Sequence, residues 1–281
     1  MTTALVTGAT SGIGLHFARR LAADGHDLVL VARTASNLEG LAAELGEQHG
    51  ITAETLQADL TRITDCRRVE QRLSDPERPV DLLINNAGFG LYDGDFADHD
   101  IRAEDDLLMV NVRAVMRLTH AALGPMLERG TGSILNVSSV ASFAPDAVAP
   151  TYAASKAWVT SFSQGLREQV SGSGVRVLAL TPGLVPTGFQ DRAGVQAHVP
   201  GALWLDPDDV VDTALKDLAA GRGVSIPGLP YRAVSLAMRL TPRSISGSSC
   251  NSPMSTRSPS MRPRIVSASA RGCSWISLSM K

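Results

Sequence analysis

The sequence predicts an α/β protein, a doubly wound parallel sheet of about seven strands with helices on both faces. Two observations carry this expectation. Short apolar runs alternate with helical patterns from residue 4 to residue 226. Most of the runs are continuous and β-branched or Leu-rich rather than alternating apolar with polar, as strands covered on both faces require. No internal repeat competes with this reading.

Each element has its own warrant. The strand candidates are residues 4–6, 28–32, 55–57, 81–84, 133–137, 175–180 and 224–226. The segments between them, 14–24, 35–48, 66–74, 103–128, 151–170 and 207–220, carry helical patterns, and 231–240 looks helical enough to close the fold. The helix at 207 has a clear start: Asp206 as N-cap, Pro207 at the first helical position, then Asp208 and Asp209 in the first turn. Those clustered acids resemble a catalytic pair, but capping explains them.

Composition removes several function classes. Of 281 residues, 44% are hydrophobic and 19% charged, enough to bury a core without staples. Net charge −2 lacks the basic excess of an electrostatic nucleic-acid binder or a polybasic membrane anchor. Cys66, Cys250 and Cys273 form no disulfide framework and no zinc pattern. No apolar run approaches the roughly 20 residues of a bilayer-spanning helix, and the opening residues lack a secretory signature. The expectation is a cytoplasmic protein that binds neither nucleic acid nor membrane.

The charge is unevenly spread. Residues 243–281 hold thirteen Ser, five Arg, three Pro and one Lys, with no Asp or Glu, so this stretch carries +6 and residues 1–242 carry −8. Such a stretch cannot offset its ordering entropy by burial and reads as a disordered Ser/Arg/Pro-rich tail. It is either a frameshifted or appended extension or a genuine arm touching a neighbouring subunit. Residues 1–242 form the expected folded domain.

In doubly wound sheets, ligands bind beyond the carboxyl ends of the strands, where the strand order reverses. The first strand runs into Thr7-Gly8-Ala9-Thr10-Ser11-Gly12-Ile13-Gly14 and then a helix. Glycines there let the backbone turn tightly and approach a pyrophosphate, whose charge meets the N–H groups at the helix start. A structural turn alone is the competing reading. Arg33 follows the second strand, nineteen residues after Gly14, where NAD-selective sites place Asp or Glu. A guanidinium there can grip a 2′-phosphate, which favours NADP(H) over NAD; an ordinary solvated arginine is the alternative. The fourth strand opens into Asn85-Asn86-Ala87-Gly88, the fifth into Ser138-Ser139, and the sixth into Pro182-Gly183 and on to Val185 and Thr187. Thirteen residues after Ser139 comes Tyr152, then Lys156, one helical turn apart and on one face.

Together these residues resemble the short-chain dehydrogenase/reductase family, whose Rossmann-type fold matches the expected sheet. The resemblance rests on Thr7-Gly8-x-x-x-Gly12-x-Gly14, Asp59-Leu60, Asn85-Asn86-Ala87-Gly88, Asn111, Ser139, Tyr152-x-x-x-Lys156 and Pro182-Gly183 followed by Thr187, in order through about residue 240. It implies hydride transfer between NADP(H) and a carbonyl or secondary alcohol of a small molecule. Tyr152 would exchange the proton and Lys156 would lower its pKa while bonding the nicotinamide ribose. Ser139 would donate to the substrate oxygen, and Asn111 would hold a water linking Lys156 to solvent. Gly8, Thr10, Ser11, Gly12, Ile13 and Gly14 would cradle the pyrophosphate, with Arg33 at the 2′-phosphate. Asp59 and Leu60 would flank the adenine, and Asn86, Ala87 and Gly88 would line the adenosine ribose side. Pro182, Gly183, Val185 and Thr187 would meet the nicotinamide. A homodimer or homotetramer is implied as well.

Substrate is expected to be read by residues 89–100, 140–150 and 188–205. Phe189, Val195, Val199 and Trp204, with Gly188, Gly194 and Gly201 as hinges, suit a mobile apolar lid over an apolar carbonyl or alcohol, or equally a packed flap. The six His residues show no metal spacing, and Asp98-His99-Asp100 reads as a solvated loop or helix start. A catalytically silent NADP(H)-binding regulator is the rival reading. The presence of Asn111, Ser139, Tyr152 and Lys156 together weighs against it.

Overall fold

The computed structural model describes residues 2–92, 94–145, 148–187 and 201–240. The tail expectation for 243–281 and the flap positions Gly188, Phe189, Gly194, Val195 and Val199 lie outside the described residues.

Seven parallel strands form one sheet, and the alternation read from the sequence is its cause. β1 (Thr3–Thr7) is followed by α1 (Gly12–Ala23), β2 (Asp27–Ala32) by α2 (Ala35–His49), and β3 (Ala53–Gln57) by α3 (Ile63–Leu73). After β4 (Leu82–Asn85) come α4 (Ile101–Leu108), a π-helical turn at Met109–Ala114, and α5 (Val115–Arg129). β5 (Gly132–Val137) leads through a 3₁₀ turn at Val140–Phe143 to α6 (Pro150–Gln169), and β6 (Val175–Leu180) follows. A 3₁₀ turn at Gly201–Leu203 precedes α7 (Pro207–Ala219), then β7 (Val224–Ser225) and α8 (Leu229–Leu240). The strand order is β3-β2-β1-β4-β5-β6-β7, so the winding reverses between β1 and β4.

Strand residues alternate between two cores. Ala4 and Val6 of β1 join Leu28 and Leu30 of β2 beneath Phe17 and Leu21 of α1, Leu38 and Leu45 of α2, and Val210 and Ala214 of α7. Leu5, Val29, Leu83, Ile134 and Val177 point the other way, onto Val69 of α3, Leu118 and Met126 of α5, and Leu166 of α6. Each fully buried side chain of this size contributes about 1.5–3 kcal/mol, which explains why both faces need helices.

The Asp206 reading holds: its carboxylate accepts from the N–H groups of Asp208 at 2.8 Å and Asp209 at 3.4 Å. Asp100 caps α4 in the same way, accepting from Arg102 N–H at 3.0 Å. His99 departs from the solvated reading, since its ring is buried and meets the buried Glu104 carboxylate at 2.6 Å. The single helix expected over 103–128 is instead α4, a π turn and α5, because apolar periodicity does not separate a π turn from the α-helices flanking it. Among the described residues no helix is long and apolar enough to cross a membrane, and no His/Cys/Asp/Glu cluster could hold a metal.

Candidate active site

One cavity of about 1120 Å³ opens at the carboxyl ends of the strands. That exceeds the roughly 300–1,000 Å³ of most ligand pockets and leaves room for two ligands side by side.

At one end lies the glycine turn. Gly8 and Gly12 take positive φ of 66° and 56°, open to glycine and strained for other residues. Ser11, N-cap of α1, makes no side-chain bond to the first turn, so the leading N–H groups of that helix have no side-chain partner. Gly8, Thr10, Ser11, Gly12 and Ile13 line the cavity. Gly14 does not. It sits behind the turn, where a Cβ would stand 2.3 Å from both Gly8 O and Asn86 Nδ2. There it packs the helix closely on the turn that forms the expected cradle.

The neighbouring turn is tied to this one by polar side chains. Thr7 Oγ1 donates to Ile84 O at 3.3 Å and accepts from Asn86 N–H at 2.9 Å and Ala87 N–H at 3.0 Å. Asn86 Nδ2 donates to Thr7 O at 2.9 Å and Gly8 O at 3.3 Å. Asn86, Ala87 and Gly88 all reach the cavity, but the Asn86 amide nitrogen is spent on the turn itself. Thr7 was not anticipated as part of this clasp, because a threonine ending a strand looks like any other.

Arg33 stands exposed on the rim, and no carboxylate among the described residues pairs with its guanidinium. Asp59 and Leu60 lie near it on the same wall. Asp59 Oδ1 already accepts from Thr61 N–H at 3.1 Å and Oγ1–H at 2.8 Å, leaving Oδ2 with Arg62 at 4.0 Å.

At the other end α6 is stitched to β5 along one helix face. Ser138 Oγ donates to Lys156 O at 2.8 Å and meets Thr160 Oγ1 at 2.7 Å, and Asn136 Nδ2 donates to Ser163 Oγ at 2.9 Å. Asn85 Nδ2 extends the network to Asn136 Oδ1 at 2.9 Å and Thr119 Oγ1 at 3.1 Å. All these side chains except Lys156 are neutral, and every one is buried, so each bond spares a desolvation cost of about 1–3 kcal/mol. Positions 156, 160 and 163 share the face toward β5, which fixes Lys156 and, one turn earlier, Tyr152.

Lys156 Nζ donates to Val137 O at 2.9 Å and lies 5.7 Å from the centroid of the Tyr152 ring. Burial pushes its pKa down to about 8, so the ammonium stays charged at neutral pH. The Tyr152 ring packs on Tyr92 at 5.7 Å between centroids. Ser139 caps the following 3₁₀ turn, accepting from Ala141 N–H at 3.2 Å, and its own hydroxyl proton meets no acceptor among the described residues. Ser139, Tyr152 and Lys156 share the cavity wall with Pro182, Gly183, Val185 and Thr187.

Asn111 is the residue expected to hold a water beside Lys156. It lies in the π turn, fully buried, and does not reach the cavity. Its Nδ2 donates to Phe89 O at 2.9 Å and Ser155 Oγ at 3.1 Å, while Oδ1 accepts from Phe89 N–H at 3.1 Å. With both amide protons committed, the side chain fixes Phe89 and the loop beside Gly88. A Cβ on Gly88 would stand 2.9 Å from Asn111 Oδ1 and 3.2 Å from Lys156 Nζ, so the three residues close on one another.

Of the segments expected to read substrate, 89–100 contributes Phe89, Gly90 and Tyr92, 140–150 contributes Val140 to Pro145 apart from Ser142, and 188–205 contributes Leu203. The helix α8 was expected only to close the fold, yet it also supplies Pro230, Tyr231 and Ser235 to the cavity.

Comparison with known proteins agrees with this geometry. The family model for short chain dehydrogenase matches residues 2–197. A short-chain dehydrogenase from Sphingobium yanoikuyae, solved in complex with NADPH, superposes with a TM-score of 0.78 at 40% identity, covering 85% of this chain and 94% of that one. The bulky-bulky ketone specific alcohol dehydrogenase from Comamonas testosteroni gives 0.74 at 36% identity, over 85% and 92%. Serine 3-dehydrogenase from Agrobacterium fabrum is 36% identical over 218 residues, 75% of this chain and 85% of its own. The parallel sheet, the cavity at its switch point and a family model spanning most of the chain lead to one conclusion: the chain belongs to the short-chain dehydrogenase/reductase family, oxidoreductases acting on hydroxyl and carbonyl groups.

Proposed function

We propose that the protein is an NADP(H)-dependent carbonyl reductase or secondary alcohol dehydrogenase acting on an apolar small molecule, with Tyr152 as general acid and base. The observation that carries this reading is the pairing of Tyr152 with the buried cation Lys156 on the wall that also presents Ser139. The donor set suits a phosphorylated dinucleotide: positive-φ glycines at a helix start with no side-chain cap, and an unpaired Arg33 at the far rim. Bound NADPH supplies the hydride. Tyr152 gives its phenolic proton to the carbonyl oxygen and takes one back in the reverse direction. A free phenol titrates near pH 10, roughly 4 kcal/mol from neutrality, and a nearby ammonium lowers that barrier. Ser139 donates its hydroxyl proton to the substrate oxygen and fixes its position. Asn111 acts at one remove, by setting the loop at Phe89 and Gly88 against which Lys156 lies.

The NADPH complex of the Sphingobium relative supports the cofactor assignment, and the bulky-bulky ketone specificity of the Comamonas relative supports a carbonyl substrate. Phe89, Tyr92, Val140, Phe143 and Leu203 in the cavity wall support an apolar one. The reading has the enzyme working in the cytoplasm as a homodimer or homotetramer. No observation favours the silent regulator.

Thermal shift with NADPH and NADH, on wild type and Arg33→Asp, tests it. NADPH at one hundred times its Kd should stabilise wild type by about 2.7 kcal/mol. Arg33→Asp should weaken NADPH and not NADH, and wild type should oxidise NADPH with apolar ketones. Equal shifts from both nucleotides, unchanged by the substitution, would refute the NADP(H) assignment.

A further inference from the structure

One side chain joins both ends of the segment between β6 and α7 and stands in the cavity wall at the same time. The Tyr231 hydroxyl, on α8, donates to Leu203 O at 2.7 Å and accepts from Leu184 N–H at 3.1 Å. Its ring lies over Gly183, where a Cβ would come within 2.1 Å of Cζ and 2.4 Å of Cε1, so position 183 admits no side chain while Tyr231 is in place. The same junction is reinforced by backbone: Leu205 N–H donates to Leu184 O at 2.8 Å, and Leu184 pairs with Trp204. Pro182 O in turn accepts from Val140 N–H at 3.0 Å, next to Ser139, and α8 packs against that 3₁₀ turn. The phenol therefore borders the end of the cavity where Ser139 and Tyr152 stand.

We propose that Tyr231 is a specificity-determining positioning residue, which sets the width of the substrate end by clasping Leu184 to Leu203 and covering Gly183 with its ring. This rests on the reductase reading above. A phenol with donor and acceptor both engaged has no freedom to swing aside for a large substituent. Removing the ring opens that volume; removing only the hydroxyl leaves the ring and loosens the clasp.

The test is a series of aryl ketones that differ only in the bulk of one substituent, reduced with NADPH by wild type, Tyr231→Phe and Tyr231→Ala, with NADPH affinity measured alongside. In Tyr231→Ala the ratio of kcat/KM for the largest over the smallest ketone should rise about tenfold or more, the scale on which apolar pockets discriminate size. NADPH affinity should stay within about twofold, a margin of only ~0.4 kcal/mol. Tyr231→Phe should raise KM several-fold across the series and leave kcat and the size ratio unchanged. An unchanged ratio in a Tyr231→Ala enzyme that binds NADPH normally overturns the proposal and leaves the reductase reading standing. A uniform loss across all ketones together with NADPH affinity shows a merely structural role and also overturns it. If Tyr231→Ala does not fold, Tyr231→Leu carries the same comparison. Wild type that binds NADPH but reduces none of the ketones overturns the reductase reading and the proposal with it.

Discussion

Replacing Lys156 with methionine should separate stability from catalysis, because this lysine is costly to bury and needed only for chemistry. Its ammonium is buried, and burial lowers its pKa from 10.5 to about 8. That fall corresponds to about 3 kcal/mol by which the folded state disfavours the charged form. Between pH 8 and 10.5 the unfolded chain holds a proton that the folded chain has released, so this contribution to stability rises with pH across that window. Below pH 8 the full penalty applies. From pH 7 to 9.5 the relief amounts to about 2 kcal/mol. Methionine has a similar length and no charge, so the pH-dependent part vanishes with it. What it loses is the bond to Val137 O, 2.9 Å long, and an orphaned buried carbonyl costs about 1–3 kcal/mol. Near pH 7 the two effects almost cancel, while turnover should fall by about 10²–10⁴ with the loss of the cation beside Tyr152.

The assay is urea unfolding of the cofactor-free protein at pH 7.0, 8.0, 9.0 and 9.5, for wild type and Lys156→Met. The difference between the two free energies should shift by about 2 kcal/mol in favour of wild type as pH rises. Taking the difference cancels other groups that titrate in this range. A difference that stays flat, or moves the other way, would show that Lys156 is not desolvated as its burial implies. The ammonium would then stay charged across the whole range, and the activation of Tyr152 would rest on its charge alone.

Two further outcomes follow from the site. Tyr152→Phe should abolish turnover while leaving NADPH affinity nearly intact, measured by steady-state kinetics and calorimetric titration; a variant with most of its rate would end the acid assignment. Gly14→Ala should destabilise the fold by about 1–3 kcal/mol, since its Cβ would strike the Gly8 carbonyl, which cannot move without moving the turn. Thermal unfolding should show that loss together with weaker NADPH binding, although Gly14 touches no part of the cavity.

The inner strands were legible because burial on both faces leaves them few polar positions. β1, β2, β5 and β6 read as mainly apolar runs and lie within a residue of where the sequence predicts them. The edge strand β3 begins two residues earlier than expected, at Ala53, because it is only partly covered and has no such run. The start of α1 was placed at Gly14 although the helix begins at Gly12, since glycine gives no helical signal. The π turn was invisible for a different reason: its six residues are too few to show a period of their own. Tyr231 carried no signal either. A lone aromatic on a helix reads as packing, and its two hydrogen bonds join segments 28 and 47 residues away, a pairing no local pattern encodes.

The polar residues at the carboxyl edge of the sheet share a location but not a role, and hydrogen-bond accounting separates them. Thr7, Asn85, Asn136 and Ser138 are buried, and their side chains bond within the protein; Asn86 has committed its amide nitrogen to backbone, and Asn111 its own to backbone and the Ser155 hydroxyl. Such groups bind the loops after β1, β4 and β5 to one another and to α6, and have little capacity left for a ligand. Ser139 keeps its hydroxyl proton, Lys156 keeps two of its three donors, and Arg33 keeps its whole guanidinium. Sequence pattern gives every member of the set equal standing, because scaffold and chemistry use the same residue types at the same strand ends. The distinction lies in which groups the fold has already satisfied. It is also why substitution at Asn111 or Gly14 should impair activity through geometry, whereas substitution at Ser139, Tyr152 or Lys156 should impair it with the fold intact.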